Sequence, residues 1–391
     1  MSSTHTPDRP LRIGLLCHST NPRGGVVHAL ELAEALAAQG HEPVVHAPDA
    51  TGQGFFRRTD FETVCIPAKP VSGRLQTLVE TRVDDYVRHF ATPSNRRFHV
   101  FHAQDGISGN ALCTLREQGH ISGFVRTVHH IDHFDDPTMM NLQRRAIVGA
   151  SGHAVVSNLW KARLQTDYNL QAISVGNGVN LRRFTPRQCG GEEALKERFG
   201  LRPGPIVLSV GGVEQRKNTL RLLDAFAQLR QVHSAAQLII AGGVSLLDHQ
   251  AYQSDFQDRL SAYNFPRGTI ILTGRLDDAD MPALYRSADV LAFPSVTEGF
   301  GLVVLEAMAC GLPVLTSRIA PFTEYLNEDD VIWCDPTNII SIADGLMLTL
   351  QTTLRNRLIR RGAAVAARLS WNKTAEAHMP LYAKMKENAY A

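Results

Sequence analysis

The sequence lacks several features that mark whole classes of protein. Its six cysteines lie far apart, at positions 17, 65, 113, 189, 310 and 334, and no C-x-x-C pair occurs, which argues against a disulfide scaffold and a zinc knuckle. No apolar stretch approaches the roughly 18 residues of a membrane span. The polar start, residues 1–10, does not resemble a signal peptide. We therefore expect reduced thiols and a cytoplasmic location.

An excess of charge of either sign is also missing. The 391 residues include 40 Lys and Arg against 38 Asp and Glu, a formal net charge of +2. Neither nucleic acid nor an anionic membrane is therefore indicated as the default partner, and membrane contact is possible without being supported. With 44% hydrophobic and 20% charged residues the composition is globular, which excludes disorder and collagen. At roughly 150 residues per domain, the length allows two or three domains.

Two parts of the chain share one pattern, a buried strand followed by a glycine-bearing loop and a helix. The first part begins with an apolar run at 11–17 and continues with helical periodicity that Gly40 ends. The second restarts with the strand at 205–210. Units of this kind require parallel sheets with right-handed crossovers, so the fold class is α/β with two Rossmann-like, doubly wound domains. Facing each other, such domains would bind a ligand in the cleft between them.

The domain limits follow from a break in this pattern. Further strands are expected at 100–102, 124–128, 154–157, 237–241, 269–273, 290–293 and 314–316, with helices between them at 218–230, 281–287 and 302–310. Ser157 is a candidate N-cap for the helix that follows it. The glycine-containing stretch 176–191 interrupts the pattern, and an amphipathic helix at 371–386 is expected to return to the first domain. The predicted domains are residues 1–177 with 371–391, and residues 178–370.

The first strand of each domain is followed by glycines. Gly24-Gly25 precedes the first helix, where paired glycines allow close approach of a phosphate and the helix N-terminus offers free N–H groups. Gly211-Gly212 leads to Arg216-Lys217, two cations suited to a diphosphate. A tight turn without a ligand and a solvated charge pair are the respective alternatives.

A run at 294–313 carries two glutamates eight positions apart, Glu298 on a turn and Glu306 on the helix that follows. Both carboxylates can face one ligand at the helix start and accept from the vicinal hydroxyls of a ribose or hexose. The turn also offers backbone amides to a phosphate, those of Gly299, Phe300, Gly301 and Leu302. Alternatively, Glu298 caps the helix and Glu306 is an exposed helix residue.

A histidine-rich loop follows the predicted strand 124–128, beginning with His129 and His130. The spacing of its histidines is not that of a recognised metal-ligand set, so we expect no metal here. Contact of His129 with a substrate and an ordinary polar loop remain the interpretations. Asp278 and Asp280 resemble a metal-binding D-x-D pair, but their position before a helix favours helix capping.

In their order along the chain, these motifs resemble those of the GT-B glycosyltransferases, and within them the retaining family 4. The resemblance covers essentially the whole chain. It depends on the Gly-Gly-Val loop, Thr127-Val128-His129, Asn177-Gly178-Val179-Asn180 with Phe184 and Pro186, Arg216-Lys217 and the two-glutamate run. The two-glutamate run is the most specific of these motifs, and the shared order lowers the weight of each local alternative.

The resemblance implies that the second domain binds a nucleoside diphosphate sugar and the first binds the acceptor. Glu306 would hold the ribose hydroxyls and Glu298 would contact the donor hexose. Arg216-Lys217 would neutralise the diphosphate, with the glycine turn at Gly211 beside it. Phe300-Gly301-Leu302 would offer amides to the sugar and the phosphates.

The same resemblance implies that Gly24-Gly25 closes over the donor phosphates and that His129 lies beside the transferred sugar. The family usually has an acidic residue after that histidine, where this chain has His130, so the choice between His129 and His130 is open. The acceptor hydroxyl would attack from the side of the leaving group, whose oxygen takes the proton, and configuration would be retained. No metal ion or other cofactor is implied, because cations and helix N-termini can stabilise the leaving diphosphate.

Other functions fit parts of the pattern. A non-hydrolysing nucleotide-sugar epimerase would share the architecture but form its product without an acceptor. A dinucleotide dehydrogenase is disfavoured by the missing glycine fingerprint, and a non-catalytic sugar-binding protein would usually be exported. Fold does not fix substrate: GDP-mannose and UDP-glucose are the leading donors by family frequency alone, and the acceptor is unidentified.

Overall fold

The computed structural model of the protein describes residues 10–188, 190–243 and 250–390, with residues 387–390 described by their backbone alone. The chain divides into two compact units: the first ends at Gly178 and includes the C-terminal segment from Trp371, and the second is Val179–Ser370. The expectations about Cys189 and about a leader at residues 1–9 lie outside the described residues. The cysteines at 17, 65, 113, 310 and 334 are free thiols.

The first unit is built around a parallel sheet with the strand order β3-β2-β1-β4-β5-β6-β7. Its strands are β1 Arg12–Leu16, β2 Glu42–Asp49, β3 Glu62–Pro67, β4 Val100–Ala103, β5 Val125–Val128, β6 Gly152–Val155 and β7 Ile173–Ser174. The helices between them are α1 Gly24–Ala38, α2 Leu75–Ala91, α3 Gly106–Glu117, α4 Pro137–Val148 and α5 Asn158–Tyr168. Central strands such as β1 are apolar on both faces because helices cover both sides of the sheet.

The second unit repeats this plan with the strand order β10-β9-β8-β11-β12-β13. Its strands are β8 Ile206–Val210, β9 Gln237–Ala241, β10 Ile270–Gly274, β11 Val290–Phe293, β12 Val314–Ser317 and β13 Ile332–Cys334. Its helices are α6 Gly191–Phe199, α7 Thr219–Val232, α8 Gln250–Tyr263, α9 Met281–Ser287, α10 Leu302–Ala309, α11 Phe322–Tyr325, α12 Ile339–Thr349 and α13 Thr352–Arg368. The predicted α/β class, with two doubly wound parallel sheets, is confirmed.

The last helix, α14 (Trp371–Tyr390), packs on the first unit. Trp371 lies edge-on to the ring of His28 on α1, with the centroids 5.3 Å apart. Tyr382 is fully buried, and its hydroxyl lies 2.8 Å from His102 Nδ1 on β4. The C-terminal segment therefore completes the core of the first unit. Among the described residues, no helix combines the length and the apolar character needed to cross a bilayer.

The predictions about helix capping hold for the positions of Ser157 and Asp280 but not for their hydrogen bonds. Ser157 occupies the N-cap position of α5, but its hydroxyl makes no capping hydrogen bond. Asp280 stands at the N-cap of α9, also without a capping bond, and instead pairs with Arg198 at 3.0 Å. Asp278 pairs with Arg183 at 2.7 Å. The carboxylates before α9 therefore hold the preceding loop and α6 rather than the helix start.

The turn before α10 requires glycine at position 301. Gly301 has φ of +91°, and a Cβ added there would lie 2.5 Å from Cε1 of Phe322. Gly274, at the end of β10, has φ of +64° and nothing within 4 Å of an added Cβ. A substitution at Gly274 therefore tests backbone strain alone, whereas a substitution at Gly301 tests backbone strain and steric overlap together.

We expect Gly274→Ala to destabilise the protein by about 1–2 kcal/mol through backbone strain alone. Gly301→Ala additionally forces Phe322 to move, which costs about 1–3 kcal/mol more. Thermal denaturation of the two variants beside the wild type measures the difference. Equal losses of melting temperature would show that the turn accommodates a side chain.

Buried histidines predict a dependence of stability on pH. Burial lowers the pKa of His378 to about 4, and burial together with the charge of His378 lowers the pKa of His28 to about 3. In the unfolded chain a histidine titrates near 6.5. Below about pH 6.5 the unfolded state therefore binds more protons than the folded one, and stability falls as the pH drops toward 4.

We expect His378→Leu to flatten this acid dependence, since each such histidine contributes about 1.4 kcal/mol per pH unit. Melting temperatures between pH 7.5 and 4.5 measure the slope. His133→Gln is the control, because the His133 side chain is 87% exposed, and it is expected to keep the wild-type slope. A wild-type slope in His378→Leu would contradict the prediction.

Candidate active site

Three predicted donor-site residues of the second unit, Arg216, Lys217 and Glu298, form one ion cluster. The loops after β8 and β11 are neighbours because these strands pair in parallel. Arg216 Nη1 donates to Glu298 Oε1 at 2.7 Å, and Lys217 Nζ donates to the same oxygen at 2.6 Å. Glu298 and Lys217 are 6% and 9% exposed, whereas the Arg216 side chain is 39% exposed. A buried carboxylate thus holds one buried cation and one that reaches solvent.

The neighbouring cations favour the ionised form of Glu298 in this cluster. Burial alone would raise the pKa of Glu298, but the charges of Lys217 and Arg216 outweigh it and lower that pKa. Burial lowers the pKa of Lys217, and the charge of Glu298 opposes that shift. The Lys217 ammonium also lies 4.3 Å from the centre of the Phe293 ring. Glu214, whose side chain is 8% exposed, lies 3.7 Å from Arg216 Nη2, so two carboxylates face the two cations, which are positioned before any ligand arrives.

Local backbone geometry explains why the chain brings these loops together. Gly211 has φ of +130°, and a Cβ added there would lie 2.5 Å from Cε of Lys217. Asn218, at φ of +61°, donates through Nδ2 to the carbonyls of Pro294 at 3.0 Å and Pro336 at 2.7 Å. Glycine thus makes room for the lysine stem, and asparagine ties the cationic loop to the ends of β11 and β13.

Glu306 is held separately from this cluster. Tyr285 on α9 is fully buried, and its hydroxyl donates to Glu306 Oε2 at 2.7 Å. Glu306 is half-buried, so it is not an exposed helix residue. Glu298 does not cap α10 either, because the N-cap is Gly301. Both local alternatives for the glutamates were therefore wrong. Gly301 has no side chain to cap the helix, which begins at Leu302, after the turn of Gly299-Phe300.

The candidate site residues of the first unit lie after β1, β4 and β5, strands that are neighbours in its sheet. Gly24 and Gly25 begin α1, and a Cβ added at Gly25 would lie 3.5 Å from Cδ2 of His129. The His129 ring lies edge-on to His28, with centroids 4.7 Å apart, and its Nε2 is 3.1 Å from Oε1 of Gln104. The structure thus brings the glycine loop and His129 together.

The two candidate histidines differ in their surroundings. Burial, followed by the charges of His28 and Arg126, holds the pKa of His129 well below its ordinary value, so the ring is neutral near pH 7. His130 is 53% exposed at its side chain and lies 3.1 Å from Asp132. Of the two, His129 is therefore the histidine that lies beside the glycine loop. Within the described residues, no three His, Cys, Asp or Glu side chains are grouped closely enough to hold a metal ion.

Sequence reasoning missed several residues of these groups. Gln104 and His28 contact His129, and Tyr285 holds Glu306. A signal for Gln104 was present, since it lies two residues after the predicted strand at 100–102, beside the strand that leads to His129. No spacing in the sequence connects Tyr285 with Glu306, because they lie on different helices.

Two family models match the chain: Glycosyltransferase Family 4 over residues 22–183 and Glycosyl transferases group 1 over residues 192–365. The phosphatidyl-myo-inositol mannosyltransferase of Mycobacterium leprae is 28% identical over 385 residues, covering 95% of this chain and 96% of that protein. The O-antigen chain mannosyltransferase B of Escherichia coli is 32% identical over 190 residues, which is 48% of each protein.

Solved structures show the same fold. The sucrose-phosphate synthase from Thermosynechococcus elongatus has a TM-score of 0.79 at 22% identity, covering 96% of this chain and 99% of that one. Anabaena HepE in complex with UDP-glucose has a TM-score of 0.73 at 18% identity, with 95% and 100% covered. With both halves matched by family models, the chain belongs to family 4 of the GT-B glycosyltransferases, enzymes that transfer a sugar from a nucleotide sugar to an acceptor.

Proposed function

We propose that this enzyme is a retaining, metal-independent hexosyltransferase whose donor is a nucleoside diphosphate sugar of the GDP-mannose or UDP-glucose type. The observation that carries the proposal is the cluster of Arg216 and Lys217 on the buried Glu298. Its two cations are positioned where strands of a doubly wound sheet end, the usual place for a phosphate ligand. Fixed cations of this kind supply the charge that a divalent ion provides in other enzymes.

The chemistry follows the movement of charge. When the bond between the anomeric carbon and the diphosphate oxygen breaks, its electron pair leaves with the diphosphate and positive charge builds on the sugar. Arg216 and Lys217 stabilise the departing anion. The acceptor hydroxyl attacks the anomeric carbon from the side of the leaving group, and its proton passes to a diphosphate oxygen. The configuration is retained without a protein nucleophile.

The remaining donor contacts are assigned by the chemistry of each group. Glu298 accepts from a hydroxyl of the donor hexose, and Glu306, held by Tyr285, accepts from the ribose hydroxyls. The turn at Gly211 makes room beside the diphosphate. The turn before α10 and the start of α1 donate backbone hydrogen bonds to the donor phosphates and sugar. The donating N–H groups are those of Gly299, Phe300, Gly301, Leu302, Gly24 and Gly25.

His129 is assigned to the transferred sugar. Its low pKa keeps the imidazole neutral, so it can hydrogen-bond a sugar hydroxyl without placing positive charge beside the forming cation. A protonated ring in the same place would oppose the transition state. This is the physical reason for a buried rather than a solvated histidine at the site.

The relatives suggest where to look for substrates. Similar proteins include mannosyltransferases and a D-inositol 3-phosphate glycosyltransferase from Xylanimonas cellulosilytica, which is 27% identical over 422 residues. Mannose is therefore the first donor sugar to test, and inositols, inositol phosphates and mannosides are the first acceptors. The acceptor groove is proposed to belong to the first unit.

We expect one nucleoside diphosphate and its sugar form to raise the melting temperature in the presence of EDTA. A ligand at 100 times its dissociation constant stabilises the folded state by about 2.7 kcal/mol. The screen compares GDP, UDP, ADP, GDP-mannose and UDP-glucose with and without EDTA. Stabilisation that needs added Mg²⁺ or Mn²⁺ would contradict metal independence, and a new sugar nucleotide formed without acceptor would indicate an epimerase.

We expect Arg216→Ala to lower kcat and Glu306→Gln to weaken nucleotide binding. Loss of Arg216 removes charge at the leaving group and is expected to lower kcat about 100-fold. Loss of the Glu306 charge weakens nucleotide binding about tenfold or more, because hydrogen bonds to a charged group contribute about 1.5–3 kcal/mol. Release of nucleoside diphosphate from the donor found in the screen gives kcat, and titration with the nucleotide gives Kd.

The matched controls are Arg357→Ala and Glu193→Gln. Arg357 forms an exposed ion pair with Asp329, and the Glu193 side chain is 84% exposed beside Lys196. Both controls are expected to behave as the wild type. If Arg216→Ala and Glu306→Gln also match the wild type in kcat and Kd, their assigned roles are wrong.

A further inference from the structure

A line of buried polar contacts runs from His129 to the C-terminal helix. His129 Nε2 lies 3.1 Å from Gln104 Oε1, and Gln104 Nε2 lies 3.3 Å from His102 Nε2. His102 Nδ1 lies 2.8 Å from the hydroxyl of Tyr382 on α14. Gln104, His102 and Tyr382 are each at most 2% exposed, so water does not take the place of these partners. All four residues belong to the first unit.

The orientation of the Gln104 amide, with Oε1 toward His129 and Nε2 toward His102, sets where the protons lie. An amide oxygen only accepts, so the neutral His129 ring carries its proton on Nε2 and donates it to Gln104. The amide nitrogen only donates, so His102 accepts at Nε2, where the hydroxyl of Thr127 is also in reach at 2.7 Å. The proton of His102 therefore sits on Nδ1 and is donated to Tyr382. Among the described residues, Nδ1 of His129 then remains an acceptor without a hydrogen-bond partner.

We propose that Gln104 is a positioning residue that holds His129 in its Nε2–H tautomer, so that Nδ1 accepts a hydroxyl of the bound sugar. The proposal rests on the role assigned to His129 above and adds the residue that prepares it. A sugar hydroxyl is a good donor to a bare imidazole nitrogen. The opposite tautomer would present an N–H there instead, and it would leave Gln104 Oε1 without a donor.

The surroundings explain why an amide, rather than a carboxylate, stands at position 104. The charged or titratable groups that act on His129 are His28 on α1, His102 on β4, Arg126 on β5 and the adjacent His130. Each of these disfavours a proton on the ring. A carboxylate at position 104 would reverse that balance by stabilising the imidazolium, whereas the neutral amide orients the ring without charging it.

Nitrogen NMR tests the tautomer directly and needs no substrate. In full-length protein labelled with ¹⁵N-histidine, we expect a pyrrole-type nitrogen at Nε2 of His129 and a pyridine-type nitrogen at Nδ1 near pH 7.5. The His129→Asn variant assigns these signals by their loss. A pyridine-type Nε2 in the wild type would overturn the proposal.

The variant Gln104→Glu tests the consequence for activity. We expect it to raise the pKa of His129, so that release of nucleoside diphosphate from the donor falls about tenfold at pH 7 and recovers at higher pH. Gln143→Glu is the matched control, because Gln143 clamps the backbone of Asp132 in the same loop, at 2.9 and 2.8 Å, without touching His129. The control is expected to keep the wild-type pH profile. Superimposable profiles for Gln104→Glu and the wild type would overturn the proposal.

Gln104→Met is a second variant, which tests the proposal even if Gln104→Glu fails to fold. It removes both amide contacts without adding charge, and we expect His129 to lose its single tautomer while the melting temperature shows that the chain is folded. One retained tautomer would overturn the proposal. If His129→Ala is impaired while both Gln104 variants keep the wild-type tautomer and pH profile, only this inference fails. If His129→Ala is fully active, the role proposed for His129 fails as well.

Discussion

The second unit depends on one buried carboxylate that takes two cations. Glu298 and Lys217 are 6% and 9% exposed, and removing one partner of such a buried pair typically costs about 3–5 kcal/mol because the other charge loses its partner. Glu298 therefore fixes the loop after β11 against the loop after β8, through Lys217 and Arg216. The same contact restricts neighbouring positions, because the lysine stem passes where a side chain at Gly211 would lie. Under the proposed function, the interaction that stabilises these loops would also position the cations for a diphosphate.

In the first unit, the side chains in contact along the line from His129 to Tyr382 are neutral. Burial keeps the imidazole rings of His129 and His102 neutral. The neutral Gln104 amide and the Tyr382 hydroxyl complete a single series of polar contacts with these rings. Neutral donors and acceptors suit a sugar that becomes positive during transfer, just as cations suit a phosphate that becomes negative. Because Tyr382 lies on α14, the C-terminal helix supplies one of these buried polar contacts.

The sequence pattern predicted several elements whose buried faces are mainly apolar. Strands β9 and β11 and helix α9 have the bounds expected from the sequence. Helix α2 was not recognised, because its buried face includes Arg82 and Asp85, paired at 2.8 Å, and these charges interrupt the apolar periodicity. Strand β3 was missed as well: only one of its residues is fully buried, so no apolar run marks it. Buried charges such as those of α2 thus weaken the apolar periodicity by which a helix is recognised from sequence.

The same limit applies to the site. Spacing found Glu298 and Glu306, but it did not show that Glu298 and the two cations form one cluster, because these partners are 82 and 81 positions apart in the sequence. Under the roles proposed here, that cluster gives Glu298 a second task. A diphosphate that binds Arg216 and Lys217 competes with the carboxylate for the same donors and repels it. Binding of the leaving group would then release a Glu298 oxygen toward the sugar hydroxyl, which couples recognition of the phosphates to recognition of the hexose.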